Sequence, residues 1–181
     1  MEYEKTIRLK NGSICHLRSA TAQDGQAVLE HFNTTHAETD FLLTYPEESS
    51  FTADQESDFL ARKLESPNEI ELLAIVDGRV VGTAGVDALG RKYKLRHRAE
   101  FGVSVLRDYW GLGIGGALLD SCIECARRAG FLQLELTAVA DNESALALYK
   151  KKGFTEFGRN PLGFRSRQSG FQELVLMRLE L

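Results

Sequence analysis

The residues with the clearest chemical potential are the glycines of one short segment, Tyr109-Trp-Gly-Leu-Gly-Ile-Gly-Gly116. It lies between a predicted strand and a predicted helix. Glycine lets a backbone approach a ligand closely, and the first amides of a helix have no partner inside it. With the positive end of the helix dipole, such amides can hold an anion such as a pyrophosphate. The simpler interpretation is a glycine-rich turn that only packs a helix on a sheet.

Two familiar phosphate loops fit this segment poorly. A nucleotide P-loop needs Lys and then Ser or Thr after its last glycine, whereas Ala and Leu follow Gly116. The glycine spacing also matches a dinucleotide fingerprint, which requires an acid at the end of the next strand. Here Glu135 comes near the start of that strand and Asp141 comes after its end. An NAD-binding oxidoreductase is therefore kept only as an alternative.

A third kind of loop fits better, and through it the sequence resembles the GNAT superfamily of acetyl-CoA-dependent N-acetyltransferases. The family loop reads Gln/Arg-x-x-Gly-x-Gly/Ala, and residues 110–115 match it with Trp110 in the place of Gln or Arg. The segment from Asn142 to Phe154, Asn-Glu-Ser-Ala-Leu-Ala-Leu-Tyr-Lys-Lys-Lys-Gly-Phe, resembles the family's Asn-x-x-Ala-x-x-Leu-Tyr-x-x-x-Gly-Phe helix. Two motifs in this order are far more specific than either alone.

The resemblance implies how acetyl-CoA would bind. The strand Val103-Ser104-Val105 would offer backbone groups to the pantetheine arm, and Asn142 would hydrogen-bond the cofactor. The pyrophosphate would be held by loop amides, those of Gly111, Leu112, Gly113, Ile114, Gly115 and Gly116. Family members separate two parallel strands to form the cofactor cleft, and here these would be Glu100–Val105 and Leu132–Val139.

The resemblance also places Tyr149 near the thioester sulfur as general acid. A phenol with a pKa near 10 stays protonated at neutral pH and can donate a proton to the departing thiolate. The alternative is a core aromatic residue.

The amine must lose a proton before it attacks. Glu100, on the strand that leads to the pantetheine contacts, is the first candidate base, directly or through water. His97 and Asp87 are alternatives. Glu100 could also be a solvated strand acid or a partner of Arg98.

An acidic segment could attract the acceptor. Residues 38–71 contain ten acidic and two basic residues, a net charge of −8. In this superfamily the first two helices and their loop cover the acceptor pocket, so a cationic amine would be steered there. A solvated helix face explains the same charges. The basic run at 91–98 is interpreted as a solvated hairpin rather than an RNA surface.

Composition limits the class of protein. The 181 residues, 43% hydrophobic and 27% charged, predict one globular domain, 1–181. A net charge of −4 argues against nucleic-acid binding, and neither a membrane span nor a signal peptide is visible. Three cysteines without a secretory signal indicate free thiols in the cytoplasm. Cys122 and Cys125 lie on an apolar helical stripe, which favours packing over redox or metal chemistry.

The order of elements predicts the architecture. Hairpins centred on Asn11-Gly12 and Asp77-Gly78 favour antiparallel pairing, while the β-α-β unit from Glu100 to Val139 favours one parallel pair. Helices are predicted at about 21–36, 52–65, 111–129 and 142–152. We therefore expect an α/β fold of the GNAT type, a mixed, mostly antiparallel twisted sheet flanked by helices.

Together these observations predict transfer of acetyl from acetyl-CoA to a primary amine by direct attack, without a metal or a covalent enzyme intermediate. The acceptor, a small molecule or a peptide N-terminus, is not identified. Dimers are common in the family, so a homodimer stays open. The alternative from another class is a CoA-binding or RNA-associated module without catalysis.

Overall fold

The computed structural model describes all 181 residues and contains one sheet of eight strands with four α-helices. The strands are β1 (Glu4–Arg8), β2 (Ile14–Ser19), β3 (Ile70–Val76), β4 (Arg79–Ala88), β5 (Arg98–Val105), β6 (Gln133–Val139), β7 (Thr155–Ser166) and β8 (Gly170–Glu180). The helices are α1 (Gly25–Glu38), α2 (Ala53–Glu65), α3 (Ile114–Arg128) and α4 (Glu143–Lys151). None of them is both long and apolar enough to cross a lipid bilayer.

The strand order is β1-β2-β3-β4-β5-β6-β8-β7, and every neighbouring pair is antiparallel except β5 and β6. The predicted mixed α/β sheet with one parallel pair is therefore confirmed. The turn between β3 and β4 shows why the local sequence predicts this antiparallel pairing well. Asp77 and Gly78 have φ angles of 48° and 78°, the positive values that a type I′ turn requires.

The sheet buries two hydrophobic clusters of very different size on its two faces. Neighbouring residues of one strand point to opposite faces, so Leu72 joins the larger cluster and Leu73 the smaller one. The larger cluster contains 29 buried residues, among them Cys122 and Cys125 of α3. The smaller one, beneath α1 and α2, contains only five. The α1/α2 face therefore leaves room for polar groups and a cavity.

Two helix starts differ from the predictions. Helix α3 begins at Ile114 and not at Gly111, because Gly111 and Gly113 have φ angles of 76° and 102°, outside the right-handed helical region. Residues 22–24 form a single 3₁₀ turn, and α1 begins at Gly25. Helix α2 begins as predicted, because Thr52 and Gln55 exchange the two hydrogen bonds of a capping box.

Candidate active site

Strands β5 and β6 run side by side for only three residues and then separate. Their pairing extends from Arg98 to Glu100 on β5 and from Gln133 to Glu135 on β6. Beyond this point β5 continues on β4 and β6 continues on β8. One edge of β5 from Phe101 to Val105, which includes the predicted pantetheine contacts Val103, Ser104 and Val105, therefore lacks a strand partner. An extended ligand could pair with such an edge as an additional strand.

The glycine loop lies at the end of this open strand. None of the amides from Gly111 to Gly116 donates to a backbone carbonyl, and the first bond of α3 runs from Ala117 to Gly113. A Cβ placed on Gly111 or Gly113 would meet no atom within 4 Å, so the loop faces open space. The indole Nε1 of Trp110 donates to the carbonyl of Val105 at 2.6 Å and ties the loop to the strand.

Tyr149, on α4, packs beside the open strand. Its side chain is 8% exposed and lies edge-on to Phe101 of β5, with ring centroids 6.3 Å apart. Burial raises the pKa of Tyr149 to about 12, and its hydroxyl makes no hydrogen bond within the protein. The phenol is therefore a protonated, unengaged donor at neutral pH. Burial of this kind suits both a general acid and a core aromatic residue, so the catalytic role stays a prediction.

Asn142 forms the N-terminal cap of α4. Its Oδ1 accepts from the Ala145 amide at 3.3 Å and from the Ser144 hydroxyl at 3.2 Å. Its side-chain amino group makes no hydrogen bond within the protein. The cap and the predicted cofactor contact therefore use different atoms and are compatible.

Two of the three candidate bases lie side by side, because Glu100 on β5 is directly opposite Asp87 on β4. Glu100 is exposed and unpaired, because Arg98 binds Glu135 instead, with Nη2 to Oε2 at 2.7 Å. Asp87 is held by Lys63 at 2.9 Å. His97 precedes β5, and its carbonyl accepts from the backbone amides of Leu132 and Gln133. Among the three candidates, Glu100 alone is a carboxylate without an ion pair.

A cavity of about 400 Å³ lies on the α1/α2 side of the sheet, where Ser104 of the open strand forms part of its wall. Its polar lining comes largely from the sheet and from one face each of α1 and α2. A wider depression of about 510 Å³ lies on the outer side of α2. It extends from Phe51 to Glu65, and no residue of the sheet lines it. We therefore take the cavity at Ser104 as the candidate substrate cavity.

A hydrogen-bond chain that the sequence analysis missed borders this cavity. His31 of α1 is 3% exposed, and its Nε2 lies 2.9 Å from the Ser104 hydroxyl, which lies 3.2 Å from that of Thr83. Burial lowers the pKa of His31 to about 4, so the imidazole is neutral at pH 7. Its Nδ1 has no hydrogen-bond partner. The one signal in the sequence is that Val28, His31 and Thr35 share a buried helical face.

A buried ion-pair network, also missed, lies behind the cavity. Lys63 of α2 is 4% exposed and donates to Glu71 and Asp87, each at 2.9 Å. Burial alone would lower the pKa of Lys63, but the two carboxylates together raise it. Burial raises the pKa of Glu71 against the opposing effect of Lys63. Part of the acidic segment is thus internal rather than a solvated face.

Other members of the acidic segment have structural partners. A carboxylate oxygen of Glu38 accepts from the Arg107 amide at 2.8 Å, and Asp40 accepts from the hydroxyls of Ser166 and Ser169. These contacts hold the end of α1 against the turn that follows β5, and the loop after α1 against the β7–β8 turn.

The cysteines have no place in this site. Cys122 and Cys125 are buried in α3, and burial raises the pKa of Cys125 to about 11, so its thiol is protonated at neutral pH. The structure contains no group of three or more His, Cys, Asp or Glu side chains that could hold a metal ion.

Comparison with known proteins agrees with this geometry. The sequence pattern of the "Acetyltransferase (GNAT) family" matches residues 31–154. The L-amino acid N-acetyltransferase AaaT of Escherichia coli is 35% identical over 94 residues, 51% of this chain and 57% of that protein. The N-alpha-acetyltransferase RimI of Mycobacterium tuberculosis is 37% identical over 97 residues, 54% of this chain and 59% of that protein. The chain thus spans less than two thirds of the curated relatives it matches.

The fold gives a more extensive match than the aligned segments. The crystal structure of a GNAT-family acetyltransferase from Streptococcus pneumoniae superimposes with a TM-score of 0.88 at 28% identity, covering 92% of this chain and 99% of that one. The family pattern covers more than half of the sequence, and it includes the open strand, the glycine loop and α4. The chain therefore belongs to the GNAT family of acetyltransferases.

Proposed function

We propose that this chain, as one N-acetyltransferase domain, transfers the acetyl group of acetyl-CoA to a primary amine by direct attack. The observation that carries the proposal is the position of Ser104, which lies on the open stretch of β5 and also lines the cavity. A thioester that runs along β5 would reach an amine held in the cavity. Neither the fold nor the family supports the NAD-binding alternative.

The residues present fit a CoA thioester. The backbone of Val103, Ser104 and Val105 would pair with the pantetheine arm, and the amides from Gly111 to Gly116 would hold the pyrophosphate at the N-terminus of α3. The Asn142 amino group would donate one more hydrogen bond. The acetyl donor supplies an activated carbonyl, and the chain positions it.

Tyr149 would act as the general acid. Its ring contacts Phe101, which points to the α3/α4 face of β5, whereas Ser104 points to the α1/α2 face. The thiolate would therefore receive its proton on one face of the strand while the amine attacks from the other. The Tyr149 hydroxyl has no internal partner that would compete for this proton.

Glu100 would act as the base through water. Glu100, Gly102 and Ser104 alternate onto one face of β5, and four residues of strand place Glu100 roughly 13 Å from Ser104. Gly102 between them has no side chain, and a Cβ there would meet no atom within 4 Å. This leaves an open groove in which ordered water could carry the proton from the amine to the carboxylate.

The acceptor is a primary amine, and we propose the cytoplasm as the site of action because all three cysteines are free thiols. A homodimer is compatible with the family.

Two measurements on the purified protein test this function. Acetyl-CoA and CoA should raise the melting temperature, because a ligand that binds only the folded state stabilises it, whereas NAD should not. Thiol release from acetyl-CoA should then depend on an added primary amine. Stabilisation by NAD and not by CoA, or a CoA-binding protein that releases no thiol with any amine class, would contradict the proposal.

A further inference from the structure

The candidate substrate cavity contains carboxylates but no cation that could bind an anionic group. Glu56 of α2 and Glu71 of β3 line it, and no Lys or Arg does. The ammonium group of Lys63, which lies behind the cavity, is bound to the two carboxylates of Glu71 and Asp87. His31, the other titratable group in the wall, is neutral at pH 7. A ligand carboxylate would therefore lose its hydration without gaining a counter-charge.

Glu56 is the carboxylate best placed to receive a ligand cation. It is half-buried, and it makes no ion pair and no side-chain hydrogen bond within the protein. Burial raises the pKa of Glu56 and the neighbouring Glu71 carboxylate raises it further, whereas the Lys63 ammonium group, which is bound to Glu71 and Asp87, lowers it. A bound ammonium group would oppose the first two effects because it adds a positive charge beside Glu56.

Five of the twelve residues in the cavity wall are apolar, and three of these five are aromatic. They are Val28, Leu29 and Phe32 of α1, Phe51 of the connecting loop and Phe59 of α2. Aromatic faces attract both apolar groups and cations. Phe59 already shows this, because its ring centroid lies 5.3 Å from the Lys63 ammonium nitrogen. A volume of about 400 Å³ is at the small end of ligand pockets and suits one ring with a short chain.

We propose that the acceptor is a cationic primary amine with an apolar, preferentially aromatic body and without a carboxylate next to the amine. Free amino acids are then poor substrates. This inference rests on the proposed N-acetyltransferase function. The same chemistry occurs in small arylalkylamines and at peptide N-termini that begin with an apolar residue, so the test includes both sources.

The test compares amines that share the same phenylalkyl group and differ in the chemical group next to the amine. The acceptors are L-phenylalanine, L-phenylalaninamide, phenethylamine and a short peptide that begins with Phe, each with saturating acetyl-CoA. Thiol release gives kcat/KM across pH, and values are compared where each amine is deprotonated to the same extent. We expect at least tenfold higher kcat/KM for the amide or for phenethylamine than for L-phenylalanine. Faster turnover of phenethylamine would identify a small arylalkylamine as the acceptor, and faster turnover of the amide or the peptide would identify a peptide N-terminus.

Two variants connect the preference to the cavity. Glu56→Gln should raise KM for the preferred amine and lower its ratio over L-phenylalanine at least threefold. Glu65→Gln, which changes an exposed glutamate at the far end of α2, should leave that ratio unchanged. Thermal unfolding of both variants should show a cooperative transition, which establishes that they are folded.

The possible outcomes separate this inference from the function on which it rests. Equal or faster turnover of L-phenylalanine would overturn the inference and leave the N-acetyltransferase function intact. A preference for the amide that persists in Glu56→Gln would also overturn it, because the carboxylate would then play no part. Thiol release with none of these four amines but with an amine of another class would overturn the inference alone, whereas a CoA-binding protein that releases no thiol with any amine class would contradict the proposed function itself.

Discussion

The proposed cofactor side and the proposed acceptor side of this molecule differ in the groups that form them. The cofactor side consists mainly of backbone: an unpaired strand edge from Phe101 to Val105 and a loop whose amides face open space. The acceptor side consists of side chains that meet from distant parts of the chain, such as Lys63 with Asp87 and His31 with Ser104. Backbone geometry requires only glycines and strand-forming residues, so it tolerates change elsewhere. A single substitution can alter a side-chain network. Specificity for the acceptor can therefore vary on the acceptor side.

The largest expected effect is on the cofactor side. Tyr149→Phe removes the proton donor and keeps nearly all of the packing against Phe101. We expect kcat to fall roughly 10²–10⁴-fold, with little change in KM for acetyl-CoA, because the interaction develops in the transition state. Single-turnover rates should show the loss even if product release limits the parent enzyme. An unchanged single-turnover rate in a folded variant would assign Tyr149 to the core.

On the acceptor side, the largest effect should be on stability. Lys63→Met leaves the carboxylates of Glu71, whose side chain is 15% exposed, and Asp87, whose side chain is 54% exposed, without their shared cation. We expect unfolding free energy to fall by about 3 kcal/mol, measured by denaturant titration at pH 7. Arg62→Met, an exposed neighbour without an ion pair, serves as the control. A loss below about 0.5 kcal/mol would show that the network is not a stabilising element.

The neutral His31 predicts a pH dependence of stability. Its pKa is about 4 in the fold and near 6.5 when unfolded, so the unfolded chain binds more protons between these values. Stability from this residue is present above pH 6.5 and is lost as pH falls toward 4. Between pH 7 and pH 5 the loss should be about 2 kcal/mol.

The matched variant for this dependence is His31→Gln, which keeps a polar side chain and does not titrate. Denaturant unfolding at both pH values should show a smaller difference for the variant than for the parent. Equal pH dependence would mean that other groups cause it.

The smallest expected effect returns to the cofactor side. Gly113→Glu places a side chain and a negative charge in the open space of the loop, at a φ of 102°. Gly113→Ala adds nearly the same backbone strain without the charge. Calorimetric CoA affinity should fall at least tenfold more in the Glu variant than in the Ala variant. Equal affinities would show that the phosphates bind elsewhere.

The same contrast explains what could be predicted from the sequence. The turn at Asp77-Gly78, the cap at Thr52 and the parallel β5–β6 pair follow from local residue types and element order. The predicted start of α3 lies three residues before the observed one, because the sequence does not reveal which sign of φ a glycine adopts. The missed groups are long-range: 73 residues separate His31 from Ser104.

Counting acids along the chain could not separate solvated from buried charge. Glu71 and Asp54 belong to the same acidic segment, yet one is bound to Lys63 beneath α2 and the other is exposed. Only the packing of α2 on the sheet distinguishes them. The pairing of Arg98 with Glu135 rather than Glu100 likewise depends on the β5–β6 register.

Trp110 gives the molecule a spectroscopic property of its own. It is the only tryptophan in the chain, and it is 48% exposed at the start of the glycine loop. Its indole donates to Val105, and the Arg107 guanidinium lies 5.6 Å from its ring centroid. Selectively excited indole emission from the protein therefore originates at one point, beside the amides that would hold the pyrophosphate. Occupancy of the loop can be followed by intrinsic fluorescence in the unmodified protein, independently of any acceptor and of catalysis.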